Sequence, residues 1–90
     1  MDVLVVGAGE MGRWVGATVS VDADVAYADT DPDAASAAAE ATGGRAVPTD
    51  TAESFDAVCL AVPMSAVDDA VAAYAGRAES ALCDVSGVMA

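Results

Sequence analysis

The sequence predicts an α/β fold, a doubly wound parallel sheet with helices on both faces. Three observations lead there. Short apolar strands alternate with helical stretches over all 90 residues, with no linker, repeat or low-complexity tract between them. The runs Val3-Leu4-Val5-Val6 and Ala57-Val58-Cys59-Leu60-Ala61-Val62 are continuously apolar, which suits strands covered on both sides. The first run stops at Gly7-Ala8-Gly9-Glu10-Met11-Gly12, a glycine-rich turn that opens a helical pattern.

The elements follow in order. The first strand is Asp2 to Val6. A helix from about Glu10 to Ser20 carries Met11, Val15, Thr18 and Val19 on one face, and Gly16 extends the small surface that Gly12 begins. The second strand is Asp24 to Ala28. The second helix opens with Asp31 as its N-cap and Pro32 in the first helical position, and its alanine-rich body stops at Gly43-Gly44. Arg45 to Val47 form a short third strand, and Thr49 to Ser54 a turn or short helix. The fourth strand is Asp56 to Val62, ended by Pro63. Ser65 caps the next helix, with Asp68 in a capping-box position. Val67, Ala70, Val71 and Tyr74 form its buried stripe, and Gly76 closes it. Ala81 to Val85 is the fifth strand. Right-handed crossovers then give strand order 3-2-1-4-5.

Composition limits what such a chain does. Ninety residues make one domain, which buries about 60–65% of its unfolded surface. Hydrophobic residues are 56% of the chain, which excludes disorder. No apolar run approaches the ~18 residues of a membrane span, and the N-terminus begins on a strand without a basic region, so a cytoplasmic protein is expected. Fifteen acids face three arginines, Arg13, Arg45 and Arg77, with no lysine or histidine, for a net charge of −12. That surface repels nucleic acid and anionic membranes. The excess of aspartate over glutamate and the absence of lysine resemble proteins of salt-loving microbes, so higher stability in molar KCl is expected. Cys59 and Cys83 have no metal-ligand spacing and read as buried thiols rather than a disulfide or a nucleophile; no metal site is expected.

The glycine turn carries the chemistry. Gly7 permits a tight turn off the strand, Gly9 allows backbone to approach a pyrophosphate, and Gly12 lets helix and strand lie close. The helix N-terminus presents N–H groups to the anion. This is the signature of a Rossmann-like dinucleotide-binding unit. Glycines also simply make turns, so a second feature is needed. Asp29, at the end of the second strand, lies 17 residues past Gly12, close to the roughly 20 expected of the acid that accepts from the adenosine ribose. A carboxylate there repels a 2′-phosphate, and Thr30, Asp31, Pro32 and Asp33 supply no cation to hold one, so NAD is favoured over NADP. The cofactor residues expected are Gly7, Ala8, Gly9, Glu10, Met11, Gly12, Asp29, Thr30, Ala61, Val62 and Pro63, all at the edge where the winding reverses, with Ser86-Gly87 beside them. Glu10 and Met11 are expected to act through backbone N–H groups. Ser65 reads as a helix cap or a nucleotide contact, Arg13 as a solvated charge or a phosphate contact, and Trp14 as a surface aromatic or a docking residue.

Three segments together resemble the N-terminal domain of prephenate or arogenate dehydrogenases: Val3 to Gly12, Asp56 to Pro63, and Asp84-Val85-Ser86-Gly87-Val88. The Ala-Val-Pro ending of the second is also shared with hydroxyacid and pyrroline-carboxylate reductase families. The family typically has Gly-Ser where this chain has Ser86-Gly87, and a lysine where Met89 stands. The resemblance implies hydride transfer to NAD as a cyclohexadienyl substrate loses carbon dioxide. It also implies a histidine beyond the fifth or sixth strand and an arginine from a helical C-terminal domain. Neither is among these residues, so no catalytic residue is assigned and the 90 residues are expected to be the cofactor half of a homodimeric enzyme, inactive alone. Two other readings stand beside it: a non-catalytic NAD-sensing module of the kind that gates potassium transport, and a reductase of pyrroline-carboxylate or hydroxyisobutyrate type.

Overall fold

The computed structural model describes residues 1–51, 53–62 and 64–84. Five strands form one sheet in the order β3-β2-β1-β4-β5. In chain order the elements are β1 (Asp2–Val6), α1 (Glu10–Val19), β2 (Asp24–Ala28), α2 (Pro32–Thr42), β3 (Arg45–Ala46), β4 (Phe55–Leu60), α3 (Val67–Tyr74) and β5 (Ala78–Asp84). Every pairing is parallel, with Val5 opposite Tyr27 on one side and Cys59 on the other. The expected fold class and strand order are both present.

Strand alternation divides the core into two clusters. Val3, Val5, Val25, Tyr27 and Cys59 point toward α1 and α2, where Val15, Ala35, Ala38 and Ala39 meet them. Leu4, Val6, Ala26, Ala28, Val58 and Leu60 point the other way, toward Phe55, Ala70 and Tyr74. Because side chains alternate along a strand, an apolar run serves both clusters at once. At about 25 cal/mol per Å² of apolar surface, each large side chain buried here contributes roughly 1.5–3 kcal/mol.

The second helix matches its expected ends. Asp31 accepts a hydrogen bond from the Asp33 N–H at 3.0 Å, Pro32 follows it, and Gly43 ends the helix at φ +75°. Other elements depart from expectation. β4 begins one residue early, at Phe55, and its ladder ends at Leu60 rather than Val62, because β1 offers no partner past Val6. Val47 is beyond β3, although its N–H still bonds the Tyr27 carbonyl at 2.9 Å. Residues Thr49 to Ser54 contain a turn, with the Thr51 N–H on the Pro48 carbonyl, and no helix among those described. Thr18 is exposed instead of facing the core, its hydroxyl donating to the Trp14 carbonyl. Ser65 does not cap α3: a single 3-10 turn over Met64–Ala66 precedes the helix and moves the cap position to Ala66. Val71 is 38% exposed, since α3 meets the sheet along Ala70 and Tyr74. β5 begins at Ala78, three residues earlier than expected, and continues to Asp84; Val85 lies outside the described residues. Gly76 sits in a second 3-10 turn that leads into it. Cys59 is buried as expected, while the side chain of Cys83 lies outside those described.

Candidate functional site

The glycine turn is built by backbone contacts that leave no room for side chains. β1 hands over to the turn at Gly7, whose N–H donates to the Ala28 carbonyl at 2.8 Å and whose φ is +99°. A Cβ at Gly7 would strike the Ala61 carbonyl oxygen, and one at Gly12 would strike the carbonyl oxygen of Gly7 itself. Both positions therefore require glycine, Gly7 for its backbone angle and both for close approach. Gly9 differs. It is the N-cap residue of α1, its φ of −74° suits any residue, and a Cβ there would meet nothing within 4 Å. Open space at the Gly9 position before a helix N-terminus, with no described side chain within 4 Å of a Cβ there, is a cradle that could hold a pyrophosphate.

Asp29 ties this turn to β2. Its Oδ2 accepts the Ala8 N–H at 2.7 Å, and its Oδ1 accepts the Asp31 N–H at 2.8 Å. A carboxylate has about four lone-pair sites, so two bonds leave capacity for ribose hydroxyls. The same side chain thus shapes the turn and stands at the expected ribose position. Charge-assisted bonds of this kind contribute about 1.5–3 kcal/mol each when sheltered. The Ala8 N–H is committed to Asp29 and does not face the open side of the turn.

Between the strand ends and α3 lies a cleft of about 510 Å³. Of the expected site residues, Gly7, Gly9, Asp29, Thr30, Ala61 and Val62 line it. Ala8 and Gly12 are buried behind the turn. The side chains of Glu10 and Met11 are not among those described, and Pro63 and Ser86-Gly87 lie outside the described residues. The far wall, unread from the sequence, is made by Ala66, Asp69, Ala70 and Tyr74 of α3 and its entry, with Thr49 from the loop after β3. Thr49 was legible only as a turn residue; its place at the cleft depends on the Tyr74 hydroxyl, which donates to its carbonyl at 2.9 Å. Burial, with a smaller push from the charge of Asp50, raises the Tyr74 phenol above its ordinary value, so it stays a neutral donor.

The electrostatics of the cleft are one-sided. Among the described residues, Asp29 and Asp69 are its charged lining residues and no arginine lines it. A smaller hollow of about 370 Å³ shares Asp29, Thr30 and Thr49 and also lacks a cation. Arg45 is engaged elsewhere, in a two-bond pair with Glu53 at 3.0 and 2.7 Å. That pairing raises the Arg45 guanidinium and lowers the Glu53 carboxyl from their ordinary values. Arg13 and Trp14 are exposed on α1, Trp14 at 64%. No described helix is long and apolar enough to cross a membrane.

Comparison with solved structures places this architecture among dehydrogenases. A protein of Sinorhizobium meliloti 1021 assigned as a myo-inositol dehydrogenase shares 31% identity at TM-score 0.75, over 92% of this chain and 27% of its own. The 3-hydroxyacyl-CoA dehydrogenase of Archaeoglobus fulgidus shares 24% at TM-score 0.78, over 93% of this chain and 33% of its own. The UDP-N-acetylglucosamine 3-dehydrogenase of Acidithiobacillus ferrooxidans shares 24% at TM-score 0.78, over 91% and 28%. The last two bear on the fold alone, and the chain spans about a third or less of each of these proteins. A search of curated proteins gives no match. Residues 2–86 match the profile of the family described as NADP oxidoreductase, coenzyme F420-dependent, so this chain, a nicotinamide-type dinucleotide-binding oxidoreductase domain, belongs to that family.

Proposed function

We propose that this chain is the NAD-binding part of a dehydrogenase, and that the dinucleotide lies with its pyrophosphate over Gly7 to Gly12 and its adenosine ribose at Asp29. The observation that carries the reading is the cleft itself: an open helix N-terminus at Gly9, an acid at the end of β2, and no cationic lining residue. The family description names NADP, but a 2′-phosphate next to Asp29 would meet a carboxylate with no arginine or lysine to offset it. NAD is therefore the cofactor we favour.

A bound nicotinamide would supply a hydride acceptor or donor. The chain's own residues would do the rest of the holding. Gly7 and Gly12 fix the turn, the helix N-terminus offers N–H groups to phosphate, Asp29 accepts from ribose, and Ala61 and Val62 give an apolar wall. We assign no catalytic residue within 1–90. The groups that grip substrate and move its proton would come from a further, helical domain, in an enzyme active as a homodimer. For the substrate we favour prephenate or arogenate, on the resemblance of Val3 to Gly12, Asp56 to Pro63 and Asp84 to Val88. A reductase of pyrroline-carboxylate type is the second reading, favoured by the family match together with the Ala61-Val62-Pro63 ending. An oxidoreductase family also weighs against a purely sensory module.

The test is an NMR titration of the chain with NAD. Amide signals of Gly7 to Gly12, Asp29 and Thr30 are expected to move together as one binding event. Saturable shifts confined to other residues would place the nucleotide elsewhere and end the proposal.

A further inference from the structure

Among the described residues the cleft carries two acids, and the dinucleotide reading uses only one. Asp29 is bonded on both oxygens by backbone N–H groups. Asp69 stands on the opposite wall, in the first turn of α3, exposed to the cleft. Among the described residues no hydrogen bond or ion pair engages its carboxylate, and it does not fold back onto Ala66 as a capping acid would. Asp68, its neighbour in the same turn, is also exposed but does not line the cleft. A favourable position at a helix N-terminus explains both acids alike. It does not explain why one of them borders an otherwise apolar wall of Val62, Ala66 and Ala70.

With the ribose at Asp29 and the pyrophosphate over the glycine turn, the part of the cleft left for the base is the one lined by Thr49 and by Ala66, Asp69, Ala70 and Tyr74 of α3 and its entry. The apolar wall then takes the face of the base, and Asp69 is the charged group within that wall. An ionised carboxylate only accepts hydrogen bonds. Adenine carries an amino donor at its 6-position, whereas hypoxanthine and guanine carry a carbonyl oxygen there. We propose that Asp69 is a specificity-determining residue that accepts from the exocyclic amine of adenine and disfavours 6-oxopurine nucleotides. In the pose that gives the 6-amine to Asp69, a 6-oxo group sets acceptor against acceptor, and the neighbouring N1–H of the oxopurine reaches the carboxylate only after the base shifts.

The inference rests on the dinucleotide reading, and the experiment separates the two. NAD and its deaminated analogue, nicotinamide hypoxanthine dinucleotide, are titrated calorimetrically into the wild-type chain, Asp69→Ala and Asp68→Ala. Wild type and Asp68→Ala are expected to prefer NAD by about tenfold, the scale of one partly exposed charge-assisted bond. Asp69→Ala is expected to bind the two equally, with NAD weakened and the analogue unchanged or improved. Equal affinities in wild type, or a preference that survives in Asp69→Ala, would overturn the role of Asp69 while leaving the dinucleotide site standing. Failure of wild type to bind either nucleotide would overturn both.

Discussion

The two faces of the sheet are built differently. On the α1/α2 face, two helices of 10 and 11 residues cover the strands with mostly small side chains. The Tyr27 ring fills the space this leaves, fully buried against Gly16, with its hydroxyl on Thr42 at 2.7 Å. On the opposite face the described residues supply one α-helix, of 8 residues, after β4, and larger side chains, Phe55, Leu60 and Tyr74, do the filling. Among the described residues that cover stops short of the strand ends, and the cleft lies there. A closed face gives rigidity to the turn and the ribose acid; a thinly covered face leaves room for a ligand. The two tyrosines express the contrast. One bonds Thr42 at the end of α2 on the closed face, and the other spans from α3 to a loop at the rim of the open one.

Removing each ring tests the comparison most strongly. Tyr27→Ala is expected to cost about 4 kcal/mol, since a fully buried ring leaves a cavity that two packed helices cannot close. Tyr74→Ala is expected to cost roughly half as much, because the rim can relax around the missing ring. Urea unfolding of both variants reads the difference, and equal costs would remove the distinction between the faces.

The glycine turn allows a sharper test within one motif. Gly7→Ala meets both a strained φ and the Ala61 carbonyl, for an expected loss of about 2–3 kcal/mol. Gly9→Val, with open space and an ordinary φ, is expected to change stability by less than about 0.5 kcal/mol and yet abolish nucleotide binding. Thermal melts and titration separate the two effects. Retained affinity in Gly9→Val would move the pyrophosphate away from the turn.

The smallest expected effect is general to both faces. With a net charge of −12, screening relieves self-repulsion, so the chain is expected to melt several degrees higher in molar KCl than in 0.1 M, about 4–8 °C per kcal/mol gained. Melting curves in the two salts check it, and a lower midpoint in high salt would oppose it.

Much of the closed face and the near lip of the site was legible in local signals. The run Val3 to Val6, the glycine turn, the Asp31-Pro32 start and the Gly43 stop each act over a few residues. Strand order followed from handedness. What local reading missed belongs to tertiary contact. The 3-10 turn at Met64 displaced Ser65 from its capping role, and the angle at which α3 meets the sheet exposed Val71. Asp29 was readable as an acid at a strand end, the position on which its proposed ribose role rests. Its bond to the Ala8 N–H joins residues 21 apart and left no sequence trace. Asp69 was visible only as one acid among fifteen until the fold set it across the cleft from Asp29.

In the proposed function, the acid-lined cleft beside the glycine turn takes a dinucleotide without a 2′-phosphate. Isothermal titration of the wild-type chain with NAD and with NADP, at the lowest salt that keeps it folded, tests this directly. NAD is expected to bind at least about tenfold more tightly, since an added phosphate dianion at Asp29 meets repulsion and no cation. Equal or tighter binding of NADP would contradict it.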